Sequence, residues 1–143
     1  MPVRTAKAEW RGALMDGSGR VELGSGTFSG PYDFRSRFQD GGGTNPEELV
    51  GAAHAGCVSM ALANNLAQAG SPPEYVRTTA KVHLEKGAEG FEISRIDLET
   101  EASVPGMNDA AFQEHAQKAK AGCPISKALA AVSITLNAKL ASR

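Results

Sequence analysis

The sequence predicts an α+β fold, with mainly antiparallel sheets packed around one long central helix. Three observations lead there. Short alternating runs fill the first third of the chain and are broken by Gly and Ser. A single long Ala-rich helical stretch follows it. Two alternating runs come next, joined by a short turn, and a cleanly alternating run closes the chain. The order β-β-β-α-β-β-α-α-β is that of α+β proteins rather than of regularly alternating α/β ones.

The first three strands are expected over residues 5–10, 20–27 and 32–38, each bounded by turn residues. Asp40-Gly41-Gly42-Gly43-Thr44 then breaks the chain. Asn45-Pro46-Glu47-Glu48 is a helix start. Asn45 suits the N-cap and Pro46 the first helical position, while Glu48 falls where a capping box needs it. The helix runs through Leu49, Val50, Cys57, Met60 and Leu66 to Gly70, where Pro72-Pro73 stops it. It is apolar on most sides, so it is expected at the centre of its domain.

Ala80, Val82 and Leu84 then alternate with Thr79, Lys81, His83 and Glu85. In the partner strand, Phe91 and Ile93 have one parity and Ile96 and Leu98 the other. That slip predicts a β-bulge near Ser94-Arg95. Residues 86–90 make the turn, and Pro105-Gly106 ends the second strand. Asn108 or Asp109 can cap a helix carrying Phe112, Ala116 and Ala119. A short helix is expected over 125–130. Val132, Ile134, Leu136, Ala138 and Leu140 mark the last strand.

At 143 residues the chain is expected to form one domain, 1–143, with a core of useful size. Its net charge of -1 and scattered basic residues argue against a nucleic-acid or anionic-membrane partner. The first ten residues hold no apolar signal segment, and no run approaches the roughly 20 apolar residues of a membrane span. The expectation is a soluble, cytoplasmic protein. Two cysteines are too few for a disulfide scaffold in a chain of this length.

Those cysteines carry the chemistry. Cys57 lies mid-helix, where a cysteine often serves only as a small hydrophobe. Cys123 sits in Ala121-Gly122-Cys123-Pro124, between elements, where it can be approached and can move. Thiol chemistry needs a thiolate. Cys57 is too far into its helix for the N-terminal dipole to help, so a cation must come from elsewhere. Arg35 and Arg37 are the candidates, and their alternation places both on one face of a strand. Solvated edge-strand charges explain them equally well. Glu47 lies ten residues before Cys57, about 15 Å along a straight helix. It is therefore either a first-turn partner of the helix dipole or a contributor to a site in a second subunit. His54 and Cys57, spaced i, i+3, share a helix face. They can form a Cys-His pair or, with Cys123, a set of metal ligands. His83 and His115 fall at expected surface positions.

Two segments go further. Residues 44–57, Thr-Asn-Pro-Glu-Glu-Leu-Val-Gly-Ala-Ala-His-Ala-Gly-Cys, with Ser59-Met60-Ala61-Leu62 after them, resemble the first-cysteine segment of the OsmC/Ohr family. Ala119-Lys120-Ala121-Gly122-Cys123-Pro124-Ile125-Ser126 resembles its second-cysteine segment. The resemblance covers essentially the whole chain and is nearer to the OsmC branch than to the Ohr branch. It implies an intertwined homodimer, with two long helices packed between sheets from both chains and active sites at the subunit interface. In each site the residue matching Cys57 is the peroxidatic nucleophile and the one matching Cys123 resolves it. The residues matching Arg37 and Glu47 form an ion pair beside the reactive sulfur. The implied activity is reduction of organic hydroperoxides, with an external dithiol of the lipoyl type as reductant and no bound cofactor or metal. An apolar site walled by residues such as Phe38 and Met60 would favour alkyl tails, by about 0.8 kcal/mol per buried methylene. Two other readings stay open on the residues alone. One is a lipophile carrier with inert thiols. The other is a metal-dependent hydrolase using His54, Cys57 and Cys123.

Overall fold

The computed structural model describes residues 1–142. The chain divides into two compact units, one spanning Met1–Leu49 and the other starting at Val50. The fold is α+β.

The first unit is built on a three-stranded antiparallel sheet. Its strands are β1 (Ala6–Arg11), β2 (Ser18–Leu23) and β3 (Ser29–Tyr32), in that order. The expected second strand stops early at Leu23. Gly26 donates to the Leu23 carbonyl at 2.9 Å with φ +77°, which closes the turn in a conformation that favours glycine.

The expected strand over 32–38 is corrected. After β3 the chain turns into a short helix, α1 (Phe34–Phe38). The reason is local. Asp33 Oδ1 accepts from the Ser36 N–H at 2.8 Å, and Ser36 Oγ accepts from the Asp33 N–H at 2.9 Å. This reciprocal cap satisfies donors that a helix start leaves open. Arg35 and Arg37 therefore do not alternate along a strand. Two residues apart on a helix, they point in different directions.

Helix α2 (Pro46–Gln68) begins as expected. Asn45 Oδ1 accepts from the Glu48 N–H at 2.7 Å, and its amide donates to the Ser36 carbonyl at 3.0 Å. Most of α2 belongs to the second unit. There β4 (Tyr75–Gly87) and β5 (Gly90–Ser103) form a long antiparallel hairpin, with β6 (Ser133–Leu140) parallel to β5. Helices α3 (Asp109–Gly122) and α4 (Pro124–Ala128) make the connection between β5 and β6. A parallel neighbour needs such a crossover. His83 pairs with Arg95 and Leu84 with Ile93, so Ser94 is the extra residue of a bulge. The parity slip is real: Ile96, Leu98 and Ala102 point into the core.

The core of this unit forms two neighbouring clusters. Leu62 and Leu66 of α2 meet Ala102, Phe112, Ala116 and Ala138 in one. Val58 of α2 meets Ile96, Leu98 and Cys123 in the other. The second cluster places a cysteine from the α3–α4 junction against the middle of α2.

Candidate active site

In the first unit, Arg37 on α1 and Glu47 in the opening turn of α2 form a two-point ion pair. Arg37 Nε donates to Glu47 Oε1 at 2.9 Å and Nη2 donates to Oε2 at 3.2 Å. The carboxylate is almost fully buried, and the guanidinium side chain keeps 38% of its surface exposed. A fork-to-fork pair of this kind fixes orientation as well as charge. Arg37 also lies 5.4 Å from the centre of the Phe38 ring.

Arg37 borders a cavity of about 440 Å³, lined mainly by Trp10, Leu14, Tyr32, Phe34 and Phe38. The sequence reading named Phe38 but missed Trp10, Tyr32 and Phe34. They converge only once β1 and β3 share a sheet and α1 turns back beside them, so no linear spacing marks them.

In the second unit, the structure brings Cys57 and Cys123 together. Both are free thiols, Cys57 half-buried and Cys123 buried. Cys57 packs against the core cluster that holds Cys123. Each thiol alters the ionisation of the other. Burial is the main influence on Cys57 and pushes its pKa up. The Cys123 sulfur beside it pushes the same way, and a backbone hydrogen bond from Ile125 opposes them. None of these influences is a cation. Burial alone would also raise Cys123. Hydrogen bonding with the Ser126 side chain and with Cys57, and the backbone N–H groups of Ser126 and Ile125, outweigh it, and its pKa falls.

The expected Cys-His pairing of His54 with Cys57 takes a different form. His54 is fully buried, and its Nε2 lies 2.8 Å from Ser126 Oγ. The Cys123 thiol donates to that same oxygen at 3.3 Å, and Cys123 Sγ accepts from the Ser126 N–H at 3.3 Å. Burial lowers the His54 pKa, which favours the neutral ring. Ser126, which stands in the second-cysteine segment without a role assigned from the sequence, is the residue that joins the His54 and Cys123 side chains; Cys-Pro-x-Ser places it three residues after a capping cysteine. His83 is not the free surface residue expected. It is half-buried, with Nε2 2.8 Å from Asp97 Oδ2. His115 is half-buried as well. Among the described residues, no group of three or more His, Cys, Asp or Glu side chains is placed to hold a metal ion.

Known proteins resemble this chain over nearly its whole length. A protein named Peroxiredoxin OsmC from Escherichia coli (strain K12) is 47% identical over 140 residues, 97% of either chain. A protein of the same name from Shigella flexneri gives the same figures. Among solved structures, an organic hydroperoxide resistance protein OsmC from Legionella pneumophila is 25% identical with a TM-score of 0.70. That match covers 99% of this chain and 100% of the other. An OsmC-like protein of unknown function from Vibrio cholerae shares the fold at 14% identity, with a TM-score of 0.76 over 96% of this chain and 99% of its own. The family model described as OsmC-like protein matches residues 39–137, from just after Arg37 and Phe38 to within the last strand, and the chain belongs to that family.

Proposed function

We propose that this protein is a thiol-dependent peroxidase that reduces organic hydroperoxides to alcohols, with Cys57 as nucleophile and Cys123 as its resolving partner. The observation that carries the reading is the meeting of two free thiols, one from mid-α2 and one from the α3–α4 junction. The name of the 47%-identical relative, Peroxiredoxin OsmC, points the same way.

In this mechanism the Cys57 thiolate attacks the terminal oxygen of the hydroperoxide. The O–O bond breaks, the alkoxide leaves and takes a proton to become the alcohol, and Cys57 becomes a sulfenic acid. The Cys123 thiol then displaces hydroxide from that sulfur, giving a disulfide and water. An external dithiol, of the lipoyl type by the family resemblance, returns both thiols.

Cys57 needs a cation, and nothing in the influences on its own ionisation supplies one. Arg37, oriented by Glu47, fills that role in the proposed mechanism and also steadies the charge on the departing oxygen. The family resemblance implies that both come from the second subunit of a homodimer, and in this reading the two compact units act together as one domain. The aromatic cavity beside Arg37 then takes the alkyl tail of the substrate. Hydrogen peroxide has no tail to bury there.

Intact mass tests the cycle. One equivalent of cumene hydroperoxide should leave the reduced protein lighter by two hydrogens per chain. Cys123→Ser should stop at one added oxygen, and Cys57→Ser should consume no peroxide. Turnover by Cys57→Ser at the parent rate overturns the assignment. Faster consumption of hydrogen peroxide than of cumene hydroperoxide overturns the role given to the cavity.

A further inference from the structure

His54 is the one fully buried ionisable group of α2 that the mechanism above does not use. Its Nδ1 is buried without a hydrogen-bond partner. A buried polar atom left unpaired costs stability, and an apolar side chain would fill the same space without that cost. What the imidazole holds in return is Ser126, and Ser126 holds the sulfur of Cys123. The three atoms form an unbroken line: Cys123 Sγ to Ser126 Oγ at 3.3 Å, and Ser126 Oγ to His54 Nε2 at 2.8 Å.

We propose that Ser126 and His54 form a proton relay that activates Cys123 for disulfide formation, with His54 as a positioning residue acting through the Ser126 hydroxyl. The inference rests on the peroxidase reading above and concerns its second step. The Cys123 S–H gives its proton to Ser126 Oγ, and the Ser126 hydroxyl passes its own to His54 Nε2. The freed electron pair on Cys123 forms the bond to Cys57 Sγ as the S–O bond of the sulfenic acid breaks. The departing hydroxide takes back the proton held on the imidazole and leaves as water. Cys123 is oxidised, the Cys57 sulfur is reduced from sulfenic acid to disulfide, and no further oxidant is needed.

The surroundings suit a transient proton. A neutral ring can accept one, and burial favours the neutral form of His54. With Nδ1 unpartnered, the imidazolium has no second hydrogen bond to hold it, so the proton is readily returned. The titratable groups facing Cys123 are Cys57 and, through Ser126, His54, both on α2. Val58, Ile96 and Leu98 share its core cluster and bring no titratable group. Among the described residues, His54 is the base that this line of hydrogen bonds reaches.

The test separates the two chemical steps in the full-length protein. Reduced protein is mixed with one equivalent of cumene hydroperoxide and quenched at intervals. Dimedone-trapped sulfenic acid and disulfide are then read by intact mass. General base catalysis is worth about 10²–10⁴-fold. In Ser126→Ala the disulfide step should therefore slow at least about tenfold more than the sulfenic step. Ser126→Thr, which keeps the hydroxyl, should recover most of the loss. His54→Gln, which keeps a hydrogen-bonding group but not a base, should not. Unaltered or equal slowing of both steps in Ser126→Ala overturns the relay, as does a Ser126→Thr protein as slow as Ser126→Ala. Should the variants not fold, the parent protein still decides. A solvent deuterium effect on the disulfide step with a curved proton inventory marks two protons in flight, and a linear inventory rules the relay out. Absence of any sulfenic acid at Cys57 in the parent is a different result, which removes the peroxidase reading and the relay with it.

Discussion

Arg37 shows how much one side chain can carry. Its two hydrogen bonds to Glu47 hold the guanidinium in a fixed plane while leaving part of it open. Cys57, by contrast, is pushed toward the neutral thiol by burial and by Cys123. An opposite charge within about 4–6 Å lowers a pKa by roughly 1–3 units. In a Cys123→Ser background, Arg37→Ala should therefore move the midpoint of Cys57 alkylation to higher pH by about that much. Glu47→Gln should move it less, because the charge remains and only its orientation is loosened. The midpoint is read from iodoacetamide rates against pH, and an unmoved midpoint in Arg37→Ala removes Arg37 from the site. At this scale the sequence was legible in part. The motifs singled out Cys57, Cys123, Arg37 and Glu47, and the structure pairs Arg37 with Glu47 and packs Cys57 against the cluster of Cys123. The His54–Ser126 contact joins residues 72 positions apart, and no local pattern announces such a pair.

At the scale of elements, the sheet of the second unit is tied across its strands by Asp97 on β5. Its carboxylate accepts from Thr135 on β6 at 2.8 Å and from Arg95 at 3.0 Å, and it meets His83 of β4 at 2.8 Å. The Thr135 hydroxyl first, then Arg95 and His83, bring the Asp97 pKa down to about 2. In the unfolded chain the same group titrates at about 3.9. A lowered folded pKa means that this stabilisation is fully present above about pH 4 and is lost as pH falls toward 2. Thermal melts between pH 5 and pH 2 should show the parent losing stability faster than Asp97→Asn over that window. Parallel curves for the two proteins would remove Asp97 as a contributor to acid sensitivity. Elements were also where the sequence spoke most and least clearly. The bulge at Ser94 was readable because a parity change in a strand has few other causes. Helix α1 was misread because Phe34-Arg35-Ser36-Arg37-Phe38 alternates like a strand. The capping pair Asp33 and Ser36 outweighs that alternation, and its spacing was present in the sequence to be weighed.

For the whole molecule, the question is whether one chain suffices. Beyond the core-facing side of α2, Ala52, Gly56 and Met60 are exposed at four-residue spacing, and Ala53 is exposed beside them. Met60 keeps 77% of its surface in the single chain. Residues four apart share a helix face, so this is a stripe of small and apolar side chains on the helix that carries Cys57. Small residues let two helices approach closely, and a buried Met side chain contributes about 1.5–3 kcal/mol. The proposed homodimer would bury this stripe and would bring Arg37 and Glu47 of one subunit to Cys57 of the other. Met60→Glu tests both consequences together. The side chain is exposed in the single chain, so the subunit should still fold, with an unchanged circular dichroism spectrum. A charge forced into the interface costs several kcal/mol, and each 1.4 kcal/mol weakens association about tenfold. Sedimentation velocity at micromolar concentration should show monomers, and peroxidase activity should fall at least about a hundredfold, in step with the lost dimer. Activity that returns as protein concentration is raised would tie catalysis to assembly. A folded Met60→Glu monomer with parent activity would mean that one chain completes the site, and the second subunit would then have no part in the chemistry.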